Sequence, residues 1–152
     1  LTAEVHAAGQ KIGKSAMKEN EAIVRTVLHH YPAVQGIYLF GSRASGDDRP
    51  DSDMDLALLF GHEQSKHPGL LALSECRFQL EEALGKSVDL VNARMVSTVL
   101  QKEIISGDVI FCANRFAVDE FEMLVLSQYQ RLNRERADIL LSFQKNKRAY
   151  AV

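Results

Sequence analysis

The stretch from Ile37 to Phe60 constrains the chain most. An apolar segment, Ile37-Tyr38-Leu39-Phe40, ends at Gly41-Ser42. Ten residues intervene, and a second apolar segment then opens on two acidic residues one position apart, Asp53-Met54-Asp55-Leu56-Ala57-Leu58-Leu59-Phe60. Both segments have the length and the boundaries of strands. Strand alternation puts Asp53 and Asp55 on one face, roughly 6–7 Å apart, with Met54 and Leu56 turned the other way into a core. Two carboxylates side by side repel each other unless a cation lies between them, and Mg²⁺ is commonly held by one or two carboxylates plus phosphate oxygens. Gly41-Ser42 suits a tight strand-to-helix turn whose free backbone N–H groups receive a phosphate. The stretch reads as a metal–nucleotide site built from a Gly-Ser turn and a paired-aspartate strand.

Rival readings fail on spelling. A P-loop needs Gly-x4-Gly-Lys-Ser/Thr; Gly41 and Gly46 have the spacing, but Asp47-Asp48 stand where the lysine should be. A calcium-binding EF-hand loop opening at Asp51 would need glycine at its sixth position and glutamate at its twelfth, where this chain has Leu56 and His62. The dinucleotide fingerprint Gly-x-Gly-x-x-Gly is absent. The remaining rival is a hairpin with a merely solvated acidic loop.

A further acidic residue weighs against that rival. Lys86 to Ala93 reads as a strand in which Val88 and Leu90 face one side and Asp89 the other, beside Val91. A charge on a half-buried strand is costly unless it is paired or ligates a metal. Asp89 is therefore a third candidate ligand, with a salt bridge to a neighbouring helix as the bland alternative.

The rest of the chain frames these strands. Apolar residues Ile23, Val24, Val27, Leu28 and Tyr31 lie on one face of a helix over Lys18–Tyr31, ended by Pro32. His29 and His30 near its end point about 100° apart and suit a helix C-terminus better than a metal. Val34–Phe40 is the first strand, and a short helical turn is expected through Ala44. Residues 61–68 read as a polar loop holding His62 and His67. Pro68–Leu84 reads as a helix with Leu73, Cys76, Leu80 and Leu84 as its stripe, widened by Leu70, Leu71 and Phe78 and stopped by Gly85. Val96–Ser106 is a further helix with Val96, Val99, Leu100 and Ile104 on one face. Asp108–Ala113 is a fourth strand. The longest helix runs from Ala117 to about Gln144, with Val118, Phe121, Val125, Tyr129, Leu132, Ile139 and Phe143 as its stripe. Its basic residues Arg131, Arg134 and Arg136, followed by Lys145, Lys147 and Arg148, form either a solvated face or a docking surface. This order predicts an α+β (mixed α/β) fold, a small mixed sheet with flanking helices and a long C-terminal helix; strand order is not legible.

With 152 residues, one domain can bury a real core. A net charge of −2 lacks the basic field of a nucleic-acid-binding protein. Cys76 and Cys112 each fall inside an apolar-periodic segment and read as buried thiols of a reducing compartment. No apolar run is long enough to span a membrane and no signal-peptide core is present, so the expected location is the cytoplasm. Residues 1–16 show no sustained period; they are expected to be a non-native or disordered extension before Met17, leaving 17–152 as a single domain.

Gly41-Ser42, ten residues, then Asp53-x-Asp55 resembles the signature of the DNA polymerase β-type nucleotidyltransferase superfamily. The wording Gly41-Ser42-Arg43-Ala44-Ser45-Gly46 and Ser52-Asp53-Met54-Asp55-Leu56 is most similar to its small bacterial branch, the minimal nucleotidyltransferase (MNT) proteins, commonly antitoxins paired with HEPN-domain toxins. The resemblance implies a polymerase β-like core and two Mg²⁺ ions held by Asp53 and Asp55. Asp89 would hold the ion beside the acceptor and help remove its proton, while Gly41 and Ser42 take the β- and γ-phosphates of ATP. Arg43 and Ser52 are candidate nucleotide-binding residues; Arg43 could equally pair with Asp47 or Asp48, and Ser52 simply start its strand. Only about 40 residues follow the fourth strand, so the acceptor is expected to bind across a partner surface. The function implied is an antitoxin that transfers AMP from ATP to a tyrosine of a HEPN RNase toxin, forming a hetero-oligomer with it. The alternatives are a small-molecule, aminoglycoside-type nucleotidyltransferase and an antitoxin that neutralises by binding alone.

Overall fold

The two apolar runs around the polar connection pair with each other, and the remaining elements cover both faces of the ribbon they form. The computed structural model describes residues 14–41, 53–67 and 73–150. In chain order the elements are α1 (Lys14–His30), β1 (Gly36–Phe40), β2 (Met54–Leu59), α2 (His62–Ser65), α3 (Ser74–Leu84), β3 (Val88–Asn92), a 3-10 turn (Ala93–Met95), α4 (Thr98–Ile105), β4 (Asp108–Cys112) and α5 (Arg115–Tyr150). The four strands form one sheet in the order β3-β2-β1-β4. β1 is antiparallel to both β2 and β4, whereas β2 and β3 run parallel. The parallel pair needs a crossover, and α2, α3 and their connections supply it.

Both faces of the sheet are buried, each in its own cluster. Met54, Leu56 and Leu58 of β2 join Ile37, Val88 and Ile110 beneath Ile23 and Val27 of α1 and Cys76 and Leu80 of α3. Ala57 and Leu59 join Tyr38 and Phe40 on the opposite face, beneath Ile104 of α4 and Val118, Phe121 and Val125 of α5. This double burial explains why β2 reads as a nearly continuous apolar run after Asp55 rather than as an alternating one. Both cysteines are free and buried, as expected. The Tyr38 hydroxyl donates to Glu122 Oε1 at 3.1 Å, tying β1 to α5. Burial pushes the Tyr38 phenol up, with the adjacent Glu122 carboxylate adding to it.

Gly107 sets how closely α4 approaches β1. A Cβ there would run into the Leu39 carbonyl oxygen and lie 2.9 Å from Phe40 Cα. Only glycine lets the turn between α4 and β4 pass so close to the backbone that leads into Gly41.

Several boundaries and faces differ from expectation. α1 starts at Lys14, so helix already runs through Met17 and includes three residues of the presumed N-terminal extension; residues 1–13 lie outside the described residues. His62–Ser65 is a helical turn rather than loop, stabilised by Ser65 Oγ donating to the His62 carbonyl at 2.8 Å. α3 begins at Ser74, because Leu73 takes a left-handed conformation (φ 46°) that no continuous helix from Pro68 could contain. Pro68, Leu70 and Leu71 lie outside the described residues. Leu73 is nevertheless buried, while Phe78, read as part of the stripe, is 62% exposed. Val99 on α4 is likewise exposed. α5 is 36 residues long, but only Val118, Phe121 and Val125 of its stripe reach the core, and Ile139 and Phe143 are exposed. The buried residues of this helix run only from Ala117 to Val125, and residues 133–146 are all exposed.

Candidate active site

The paired aspartates gather where β1 ends and β2 begins. Asp55 lies in register between Phe40 on one side and Asp89 on the other. On β2, Asp55 points away from the face that buries Met54 and Leu56 and shares the α4–α5 face with Ala57 and Leu59. Asp89 alternates with Val88 and Leu90 in the same sense, next to Val91. Parallel pairing in exact register therefore sets Asp55 and Asp89 side by side on one face of adjacent strands. Asp53 immediately precedes β2 and is exposed, as is Asp89, whereas Asp55 is half-buried. Burial pushes the Asp55 carboxyl above its ordinary value, and the charges of Asp89, Asp53 and Glu103 push it further. Glu103 of α4 was not anticipated, because an isolated glutamate on an exposed helical position carries no signal in sequence.

Gly41 closes this corner. Its φ of +75° is left-handed, and a Cβ on it would collide with Asp55 Oδ2 and lie 3.1 Å from Asp55 Cγ. The residue is glycine for both conformation and space. Ser42, Arg43 and Ser52, together with the loop Gly46–Asp51, lie outside the described residues. Gly41→Ala is expected to lower turnover at least tenfold by displacing the Asp55 carboxylate, with a backbone penalty of about 1–2 kcal/mol. Steady-state kinetics beside thermal denaturation checks this; an alanine variant of wild-type rate would separate Gly41 from the function of Asp55.

Among the described residues, no three acidic, histidine or cysteine side chains are arranged to cage one ion. The donor set still fits a hard divalent cation. Mg²⁺ at phosphate-transfer sites takes one or two carboxylates and completes its shell with phosphate oxygens and water, so a protein cage is not required. A carboxylate pushed up by burial and like charges is the environment that a cation relieves. His29 and His30 end α1 as anticipated, with His30 Nε2 2.8 Å from Gln79 Oε1. His62 pairs with Glu120 of α5 at 3.3 Å.

Comparison with known proteins agrees with this geometry. Residues 21–116 match the family described as polymerase beta, nucleotidyltransferase, a span that includes Gly41, Asp53, Asp55 and Asp89. The protein adenylyltransferase MntA of Shewanella oneidensis is 31% identical over 135 residues, covering 89% of this chain and 94% of MntA. A crystal structure of a toxin–antitoxin with AMP-PNP superposes with a TM-score of 0.69 at 29% identity, covering 82% of this chain and 98% of that one. An MNT antitoxin in complex with the tri-AMPylated HEPN toxin of Shewanella oneidensis gives a TM-score of 0.66 at 27% identity, covering 84% and 98%. With more than half of its length matched by one family and its fold shared along most of the rest, this chain belongs to the polymerase β-type nucleotidyltransferases.

Proposed function

We propose that the chain is the antitoxin of a toxin–antitoxin pair and a protein adenylyltransferase, moving AMP from ATP to a tyrosine hydroxyl of a HEPN-type RNase toxin. The observation that carries the reading is the in-register pairing of Asp55 with Asp89, with Gly41 turned tightly over Asp55. The similarity to the Shewanella oneidensis adenylyltransferase over most of both chains supports adenylyl transfer to a protein, and the likeness to an MNT antitoxin bound to a tri-AMPylated HEPN toxin supports the partner.

In this reading Asp53 and Asp55 would hold Mg²⁺, two ions in all, and Asp89 would complete the site on the acceptor side. Bound there, the metal would supply charge stabilisation for an in-line displacement. Backbone N–H groups at Gly41-Ser42 bind the terminal phosphates, with Arg43 and Ser52 as further contacts. The acceptor oxygen attacks the α-phosphorus, its bond to the bridging oxygen breaks, and pyrophosphate leaves. Asp89, exposed at the rim, takes the acceptor proton. Glu103 keeps negative potential on the α4 side, favouring cations over a free triphosphate.

The test is intact-mass spectrometry of the cognate HEPN protein after incubation with this chain, ATP and Mg²⁺, beside the Asp53→Ala/Asp55→Ala double variant. The expected result is one or more adenylyl masses on the toxin with the wild type and none with the variant. Toxin silenced equally by the variant, with no adduct in either case, would make the chain a binding antitoxin. No adduct and no silencing would favour a small-molecule acceptor.

A further inference from the structure

At the opposite end of β2 and β3 from the aspartates lies a second concavity, a cavity of about 310 Å³ between α2, the 3-10 turn, α4 and α5. Asp55 and Phe60 are five residues apart on an extended strand, so the two regions are separated by roughly 16 Å. None of the residues lining the cavity is acidic, and Lys66 and Arg94 are among them.

Arg94 is held as a recognition group. Its Nε donates to the Phe60 carbonyl at 2.6 Å, and its guanidinium lies over the Phe121 ring, 5.5 Å from the centroid. These two contacts fix the plane of the guanidinium and use one of its five N–H donors. The terminal NH₂ groups have no hydrogen-bonded acceptor among the described residues. Glu120, whose charge acts on Arg94, also pairs with His62 at 3.3 Å. Burial lowers the Arg94 pKa, and Glu120 offsets this only in part. Gln101 is also fixed, donating through Nε2 to the Ala93 carbonyl at 2.9 Å. Val96, Phe121 and Val125 supply an apolar wall.

A half-buried guanidinium, oriented and with its fork unspent, is built to receive a planar or tetrahedral anion. A volume near 300 Å³ in which apolar residues such as Val96 and Phe121 share the lining with a larger set of polar and basic ones is at the small end of ligand sites. We propose that this cavity is a second binding site, taking a small organic anion whose carboxylate or phosphate group pairs with Arg94 and whose body lies against Phe121 and Val96. Lys66, exposed at the rim, strengthens the attraction without shaping the site. This assignment does not depend on the function proposed for the aspartate end. α4 joins the two regions: Thr98 and Gln101 line the cavity, and Glu103 acts on Asp55.

The experiment is an NMR titration of the ¹⁵N-labelled full chain in EDTA, without nucleotide, using phenyl phosphate, benzoate and inorganic phosphate in turn. Saturable shifts are expected at Arg94 Nε–Hε and at the amides of Met95, Val96 and Gln128. At least one aromatic anion should bind about tenfold more tightly than inorganic phosphate, reflecting the apolar wall. The stronger of phenyl phosphate and benzoate identifies the anionic group. Arg94→Gln should weaken binding by tenfold or more. Because that change also removes the bond to Phe60, Lys66→Gln serves as the second variant, with binding weakened about threefold and Tm unchanged. The proposal is overturned by an absence of saturable shifts at these residues, by shifts confined to Gly41 and Asp55, or by a folded Arg94→Gln variant that binds as the wild type does.

Discussion

Asp55→Asn is expected to reduce nucleotidyl transfer by about a thousandfold or more while making the metal-free protein harder to unfold. The loss follows from removing the carboxylate that lies centrally between Gly41 and Asp89; several kcal/mol of barrier is the usual cost at such a site. The gain in stability follows from the direction of the Asp55 pKa. Burial, Asp89, Asp53 and Glu103 all raise it in the folded chain, so the folded state binds the proton more tightly than the unfolded one does. Stability from this group is fully present below the unfolded value near 3.8 and is lost as pH rises through the folded value. At neutral pH the ionised group is therefore a net cost that asparagine removes. Mg²⁺ should relieve the same cost in the wild type, raising its Tm, and should have a smaller effect on the variant. Kinetics and thermal melts of both proteins, with and without Mg²⁺, check all three statements. A variant that retains its rate within tenfold would remove Asp55 from the reaction, and a metal-free variant that melts lower would show that the carboxylate has a stabilising partner.

The second large effect is expected in the core. Phe121→Ala should cost about 3–5 kcal/mol, or a fall in Tm of roughly 10 °C. Phe121 is 2% exposed, its ring lies 6.2 Å from that of Tyr38, and it carries the Arg94 guanidinium on its face. Its removal leaves a cavity under the first turns of α5 and loosens the Tyr38–Glu122 contact beside it. Phe143→Ala is the control. It lies on the same helix and in the same periodic stripe but is 65% exposed, so its cost should stay within about 0.5 kcal/mol. Denaturant melts of the two variants measure the difference. Equal losses would mean that the distal half of α5 packs against the isolated chain after all.

These two phenylalanines mark the limit of what periodicity conveys. A 3.6-residue pattern says that a helix has an apolar face, but not how far along its length that face meets the sheet. Val118, Phe121 and Val125 were legible as core; Ile139 and Phe143 carried the same pattern and meet solvent. Phe78 and Val99 were overread for the same reason. The strands were easier. A two-residue period fixed Met54 and Leu56 inward and Asp55 the other way, and Val88 and Leu90 likewise oriented Asp89. The order β3-β2-β1-β4 was not legible, because strand neighbours are chosen by packing between distant segments. The register that pairs Asp55 with Asp89 was equally invisible. The cavity around Arg94 gave no signal, because its lining comes from four separate elements and no motif joins them.

The parallel pairing of β2 and β3 also has a temporal consequence. Asp53 and Asp55 lie at the start of a strand whose antiparallel partner, β1, is near in sequence. Asp89 arrives only after the chain has travelled through α2 and α3 and returned to the sheet. Closing that loop carries an entropic cost before its contacts form, and parallel, non-local pairings are slow for this reason. The last carboxylate therefore reaches the site late in folding, so a nascent or half-folded chain carries two of the three aspartates without the third. The pairing of Asp89 with Asp55 is coupled in this way to completion of the sheet.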